Sequence, residues 1–367
     1  MKARSRKKSH RALAPLTAKE FRKARIEVRR HKPVARPITA ATFNIISDLR
    51  GEQPAVSTRI VSAPGTDRQA RWLVEVTLDS GKVVPPVIQP VRPRILKRSV
   101  LQRARKIPLH PSMPDDGSKF VKRPPLLPPR QSFRLRHGDL EYEPTTIFDP
   151  DGRSAYSDLN YPWRCLCRIQ TPTGAGSGVL IGPQHALTAS HVIDWTPGWC
   201  TVSVFQQNTT FLDSANATFA YASTQIGPGS ISDSDSDEDY AVLVLDKRLG
   251  DTYGWYGART YDSGWDDEVS VWCNIGYPTD KGWNNVTPVF QTDFFLNELG
   301  ADFGSARLIR SQTFDNWPGQ SGGPVFGFWD DGPYVVGVVS GQGPDYNYIS
   351  GGSLLPSLVS QARNEVP

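Results

Sequence analysis

The chain has 367 residues, 38% hydrophobic and 22% charged, enough for one large or two ordinary domains with real cores, which argues against wholesale disorder. Its formal charge of +5 averages two opposites: residues 1–145 hold 32 Lys and Arg against 12 Asp and Glu, whereas residues 146–367 hold 10 against 25. A uniformly basic nucleic-acid protein is therefore disfavoured, and no run approaches the roughly 18 apolar residues of a membrane-spanning helix.

In chain order, the N-terminus MKARSRKKSHRALAP has the positive start of an export signal but no apolar core behind it, so no ordinary signal peptide is expected. Thr17-Ala-Lys-Glu20 reads as a capping box ahead of a short helix whose Phe21, Ala24 and Val28 share one side. RWLVEVTL, followed by Asp-Ser-Gly-Lys and Val83-Val84, predicts a hairpin, and residues 85–130 alternate prolines with basic residues. Residues 1–145 are thus expected to be a basic, Pro-rich, partly disordered region with a small structured patch.

Composition changes near residue 145: 26 of 31 Gly and 9 of 10 Trp lie beyond it. The runs CLCRIQ, SGVLIG, CTVSVF, YAVLVL, EVSVWCNIGY, PVFGFW and YVVGVVSG, separated by Gly, Asp, Asn and Pro, predict an all-β barrel or sandwich. Some 220 such residues suit two small packed barrels, with only SHVID and the C-terminal LLPSLVSQARNEV helical. Cys165, Cys167, Cys200 and Cys273 permit two disulfides in three pairings; Cys165 and Cys167 lack further ligands at metal spacing and read as two thiols on a strand.

Three segments carry chemistry: LTASHVI with His191, DEDYAVLVL with Asp239, and PGQSGGPVF with Ser321. A serine hydroxyl needs a base to take its proton, and that base needs a buried carboxylate to fix its tautomer. Gly319 and Ser321 can present backbone N–H groups to a developing oxyanion. His185 is expected in the surface turn Pro-Gln-His. Asp233, Asp235 and Asp237 alternate ahead of Asp239, but a calcium loop of the helix-loop-helix kind needs Gly and Glu where Glu238 and Val244 stand, so a solvated acidic loop is expected.

These motifs, in this order, resemble the chymotrypsin-like serine endopeptidases, and among them the bacterial glutamyl-endopeptidase group, over roughly residues 146–367. TGAGSGVLIGPQHALTASHV is similar to the strands that deliver the catalytic histidine, DYAVLVL to the strand opening with the catalytic aspartate, GQSGGPV to the nucleophile loop and VVGVVSG to the pocket strand. NYPWRCLCRI, after the acidic lead FDPDGR, resembles the start of the mature enzyme. The resemblance implies two packed six-stranded antiparallel β-barrels with a C-terminal helix, and a trypsin-like peptidase domain over residues 146–367. It also implies a triad of His191, Asp239 and Ser321, no cofactor or metal, a polypeptide substrate, and a place outside the cell or in the cell envelope.

Two positions depart from relatives. Glutamyl-specific members carry a histidine two residues after the glycine of the pocket strand, where Val339 stands here, next to Ser340. Asp315 stands six residues before Ser321, where trypsin-type enzymes carry a carboxylate for Lys or Arg; either it selects a basic side chain or it points elsewhere. Gln320 replaces the aspartate with which trypsin-type enzymes bind a newly cut N-terminal amine, so that activation switch is not expected. For the basic arm three readings stay open: a pro-segment docking on its own oppositely charged catalytic domain, an anchor for an anionic surface, or a solvated tail. The runs RSRKKSHR and RKARIEVRRH have no aromatics among their cations for base stacking, so nucleic acid is disfavoured, and a monomer is expected. The rival from another class is a non-catalytic binding module that keeps the peptidase fold and uses a polyanion-binding arm.

Overall fold

The computed structural model describes residues 13–32, 90–127, 147–148, 150–195, 198–227, 235–266, 270–281, 285–300, 306–343 and 345–367, and the backbone of 57–62, 72–77 and 87–88. The chain is mostly β, with a closed six-stranded barrel and an open half-barrel. Around the closed barrel the strands run Thr201–Val204, Leu166–Thr171, Gly174–Gly182, His185–Thr188, Ala241–Leu245 and Asp213–Ala222, and the last pairs back to the first. All six pairings are antiparallel. Ala241–Leu245 is buried at every position, which is why AVLVL is continuously apolar rather than alternating.

The second sheet orders Ala306–Ser311, Asn347–Gly352, Gly332–Gln342, Pro324–Trp329, Trp272–Gly276 and Val289–Phe294, with Asn297–Gly300 and Ser154–Ala155 added at its ends. With Gly257–Ala258 beside Gly332–Gln342 it has nine strands, and among the described residues no pairing closes it. The helix Leu354–Glu365 buries Leu354, Leu355, Leu358, Val359 and Ala362, a spacing of three and four that turns one face inward.

The described parts of the basic region lie on both halves. The capping box of Thr17 and Glu20 forms as expected, and Phe21 stacks on Phe328 at 4.2 Å between centroids. Leu16 N–H donates to Phe328 O at 2.8 Å, and Trp329 Nε1–H donates to Leu13 O at 3.0 Å. Arg92–Ile95 adds a parallel seventh strand beside Phe219–Ala222. The helix Arg98–Arg103 faces the C-terminal helix, where Ser360 Oγ–H donates to Arg105 O at 2.8 Å. Val91, Leu101, Leu109 and Met113 join the same core as the first barrel.

Opposite charge supplies attraction but no register; here aromatic stacking and backbone hydrogen bonds set the register. Trp72–Thr77 pairs with Ser57–Ser62 and Val87–Ile88, so the expected hairpin is a three-stranded sheet; Val83, Val84 and the boundary at Thr145 lie outside the described residues. Among the described residues no helix is long and apolar enough to cross a membrane.

Candidate active site

Strand register brings His191 and Asp239 together. His191 lies in the 3-10 turn Ser190–Val192 just after His185–Thr188, and Asp239 follows the turn Ser236–Glu238 just before Ala241–Leu245. Those strands are antiparallel neighbours with Thr188 opposite Ala241, so both side chains emerge at one end of the barrel. Asp239 is fully buried. Its Oδ1 accepts the His191 backbone N–H at 2.9 Å, and its Oδ2 meets His191 Nδ1 at 2.6 Å. The Ser340 hydroxyl donates to the same Oδ2 at 2.7 Å. A carboxylate only accepts, so this contact puts a ring proton on Nδ1 and leaves Nε2 of a neutral imidazole with its lone pair.

Ser321 lies in the turn between Ala306–Ser311 and Pro324–Trp329. Gly319 (φ +96°) and Gly322 (φ +78°) are left-handed, and a Cβ on Gly322 would lie 2.2 Å from Thr188 Oγ1 and 2.6 Å from Ala189 N. Glycine is therefore required where this turn abuts the strand that leads to His191. Gly176 separates Ser321 from the residue after His191: a Cβ there would be 2.8 Å from Val192 Cγ2 and 3.0 Å from Ser321 O.

Ser177 fastens the turn to the first barrel. Its hydroxyl donates to Gly319 O at 2.7 Å and accepts Tyr277 N–H at 2.8 Å, while its own N–H donates to Ser321 O at 2.8 Å. Both carbonyls are thereby turned toward Ser177. Among the described residues, the N–H groups of Gly319 and Ser321 and the Ser321 hydroxyl have no hydrogen-bond partner.

The three residues expected to bind substrate have partners within the protein. Asp315 is 1% exposed, and its oxygens accept Phe148 N–H and Gly152 N–H, each at 2.7 Å, with Gln291 Nε2 at 3.1 Å from the second. Burial pushes its carboxyl above the usual range even though those two backbone N–H groups pull it down. The carboxylate thus holds the backbone of Phe148 and Gly152, which favours the alternative in which Asp315 points elsewhere than at a basic side chain. Val339 has its side chain in the second core cluster and meets the turn through its backbone, accepting Gly322 N–H at 2.8 Å. Ser340 serves Asp239.

Other expectations also change. His185 is fully buried at the start of a strand, not in a surface turn; burial and the Arg363 cation push its pKa down to about 3. Asp237 and Glu238 are buried too, Glu238 paired with Arg98, so the acidic run is not a solvated loop as it reaches Asp239. Asp233 lies outside the described residues. All four cysteines are free and buried, and burial raises each thiol pKa. Among the described residues no group of three or more His, Cys, Asp or Glu has the arrangement of a metal site.

Residues 176–338, which span the strand of Ser177, the turn of His191, Asp239 and Ser321, match the family model described as the trypsin-like peptidase domain. The chain resembles the chymotrypsin-like serine proteases, glutamyl endopeptidases among them. A glutamyl endopeptidase of Bacillus licheniformis is 25% identical over 197 residues, covering 50% of this chain and 56% of that protein. An extracellular metalloprotease of Bacillus subtilis is 23% identical over 219 residues, covering 56% and 65%. The chain therefore spans under two thirds of either relative's length. A solved Glu endopeptidase overlays with a TM-score of 0.49 at 21% identity, covering 60% of this chain and all of the other.

Within residues 176–338, motif order in the sequence points to His191, Asp239, Gly319 and Ser321. Motif order does not point to Ser177, whose only signal is a small polar residue inside SGVLIG, or to Arg153 in the lead FDPDGR.

Proposed function

We propose that this protein is a serine endopeptidase. The observation that carries the reading is His191, bonded through Nδ1 to the buried Asp239, on a turn that shares Gly176 and Ala189 with the Ser321 turn. Ser321 Oγ attacks the scissile carbonyl while His191 Nε2 takes its proton. Asp239 holds the tautomer and stabilises the imidazolium, and Ser340 orients Asp239. The N–H groups of Gly319 and Ser321 receive the oxyanion, a setting in which one donor is typically worth roughly 3–4 kcal/mol of transition-state stabilisation. His191 then protonates the leaving amine, and water repeats the sequence on the acyl-enzyme.

The names of the curated relatives support a polypeptide substrate and a place outside the cell. Asp315 and Val339 each have other partners, so neither a basic nor a glutamyl preference is assigned to them. Hydrolysis of an unbiased peptide mixture, read by mass spectrometry, tests the reading. Cleavage that disappears in both Ser321→Ala and His191→Ala supports it; no cleavage by the wild-type chain, or cleavage that survives both substitutions, contradicts it.

A further inference from the structure

Arg153 stands just before the edge strand Ser154–Ala155, and it is 3% exposed. All five of its N–H directions have acceptors. Nε and Nη2 donate to Asp151 at 3.1 and 3.0 Å, and Nη1 and Nη2 donate to Asp280 at 3.2 and 2.5 Å. Nη1 also donates to Gln320 Oε1 at 2.9 Å. Burial works against the charge, yet bonds and charges from Asp151 and Asp280 raise the guanidinium pKa above the ordinary value.

Gln320 precedes Ser321 and is itself buried, with both ends of its amide used. Oε1 accepts Arg153 and, at 2.9 Å, the backbone N–H of Trp317; Nε2 donates to Asn274 Oδ1 at 3.1 Å and Asp315 O at 3.3 Å. The turn it anchors contains two left-handed glycines, which offer no side chain to resist rearrangement. Its shape therefore rests on side-chain bonds, and Gln320 gathers four of them: two within the segment, to Trp317 and Asp315, and two from outside it, to Arg153 and Asn274.

Building on the serine-peptidase reading above, we propose that Arg153 is a positioning residue for the Ser321 turn. Its guanidinium, fixed by Asp151 and Asp280, clamps Gln320, and the clamped amide keeps the N–H groups of Gly319 and Ser321 aimed at the developing oxyanion. The organising cation is a side chain already inside the fold, so the turn needs no new chain terminus to take its shape.

The test is steady-state peptide hydrolysis by the full chain carrying Arg153→Ala, Arg153→Lys, Gln320→Ala, or Arg153→Ala with Gln320→Ala. Oxyanion donors act in the transition state, so Arg153→Ala should lower kcat by about 10- to 100-fold with KM nearly unchanged. Arg153→Lys should recover part of kcat, and millimolar methylguanidinium should restore activity to Arg153→Ala but not to Gln320→Ala. The double variant should be no slower than Gln320→Ala alone, because the two residues act in series. Wild-type kcat in Arg153→Ala, or losses that multiply in the double variant, would overturn the proposal. Should Arg153→Ala not fold, unchanged kcat in Gln320→Ala overturns it equally. A serine-directed phosphonate separates the two levels. If the wild type takes no label, the peptidase reading fails and this inference with it; a labelled wild type beside an unaffected Arg153→Ala sinks this inference alone.

Discussion

The closed barrel and the open half-barrel fix their parts of the site by different means. In the closed barrel, strand register carries His191 and Asp239 to one rim, and the hydrogen bonds that do so also hold the barrel together. In the open half, the Ser321 turn lies outside the ladders and is pinned by side chains: its own Gln320, and Ser177 and Arg153 from elsewhere. The lesson is a division of labour. Changes in the closed barrel should act on stability and activity together, whereas changes in the pins of the turn should act mostly on activity.

The largest expected effect tests whether the two halves act as one unit. On the proposed mechanism, Asp239→Asn should lower kcat/KM by about 10⁴-fold, since an amide can present an N–H to Nδ1 and favour the wrong tautomer. A loss below about tenfold would detach Asp239 from the chemistry. Next comes the pin that joins the halves. Ser177→Ala leaves Gly319 O and Tyr277 N–H without its hydroxyl, removing two hydrogen bonds. It should lower kcat by about 10- to 100-fold with a stability change of about 1–3 kcal/mol. A comparison of kcat with denaturant midpoint would break the contrast if stability collapsed while the residual folded enzyme kept its rate.

A smaller effect is expected from the docked arm. Phe21→Ala removes the ring stacked on Phe328, far along the chain from the catalytic motifs, and should cost about 1–2 kcal/mol of stability with kcat unchanged. Thermal denaturation and a kinetic assay of the same sample decide it; a changed kcat would tie the arm to the site. The last effect, read in stability rather than in rate, is a pH slope in the closed barrel. The folded pKa of His185, about 3, lies below its unfolded value, so its contribution is full above about pH 6.5 and is lost as pH falls toward 3. Stability should fall by up to about 1.4 kcal/mol per pH unit through that window, and His185→Gln should flatten the slope.

How much of this was legible in the sequence follows from the range of the interactions. Local patterns gave the capping box at Thr17, the run AVLVL and the glycines around Ser321, because each is fixed by its own neighbours in the chain. His191, Asp239 and Ser321 were found through motif order, although nothing in their spacing reports the strand register that brings the first two together. His185 was misplaced because Pro-Gln-His reads as a turn, whereas the C-terminal helix, more than 160 residues later in the chain, covers it. Asp315 was ambiguous for the same reason: its partners Phe148 and Gly152 lie far upstream, and only the fold shows that its oxygens are taken. Charge alone leaves three readings open for the arm, whereas its register comes from Phe21, Leu16 and Arg92–Ile95, contacts that net charge cannot encode.

The most direct test of the central claim is the mass of the intact chain after reaction with a fluorophosphonate, followed by mapping of the labelled peptide. The account predicts a single adduct on Ser321 that is absent from Ser321→Ala and strongly slowed in His191→Ala. An adduct on another residue, or none on a folded wild-type chain, would contradict it.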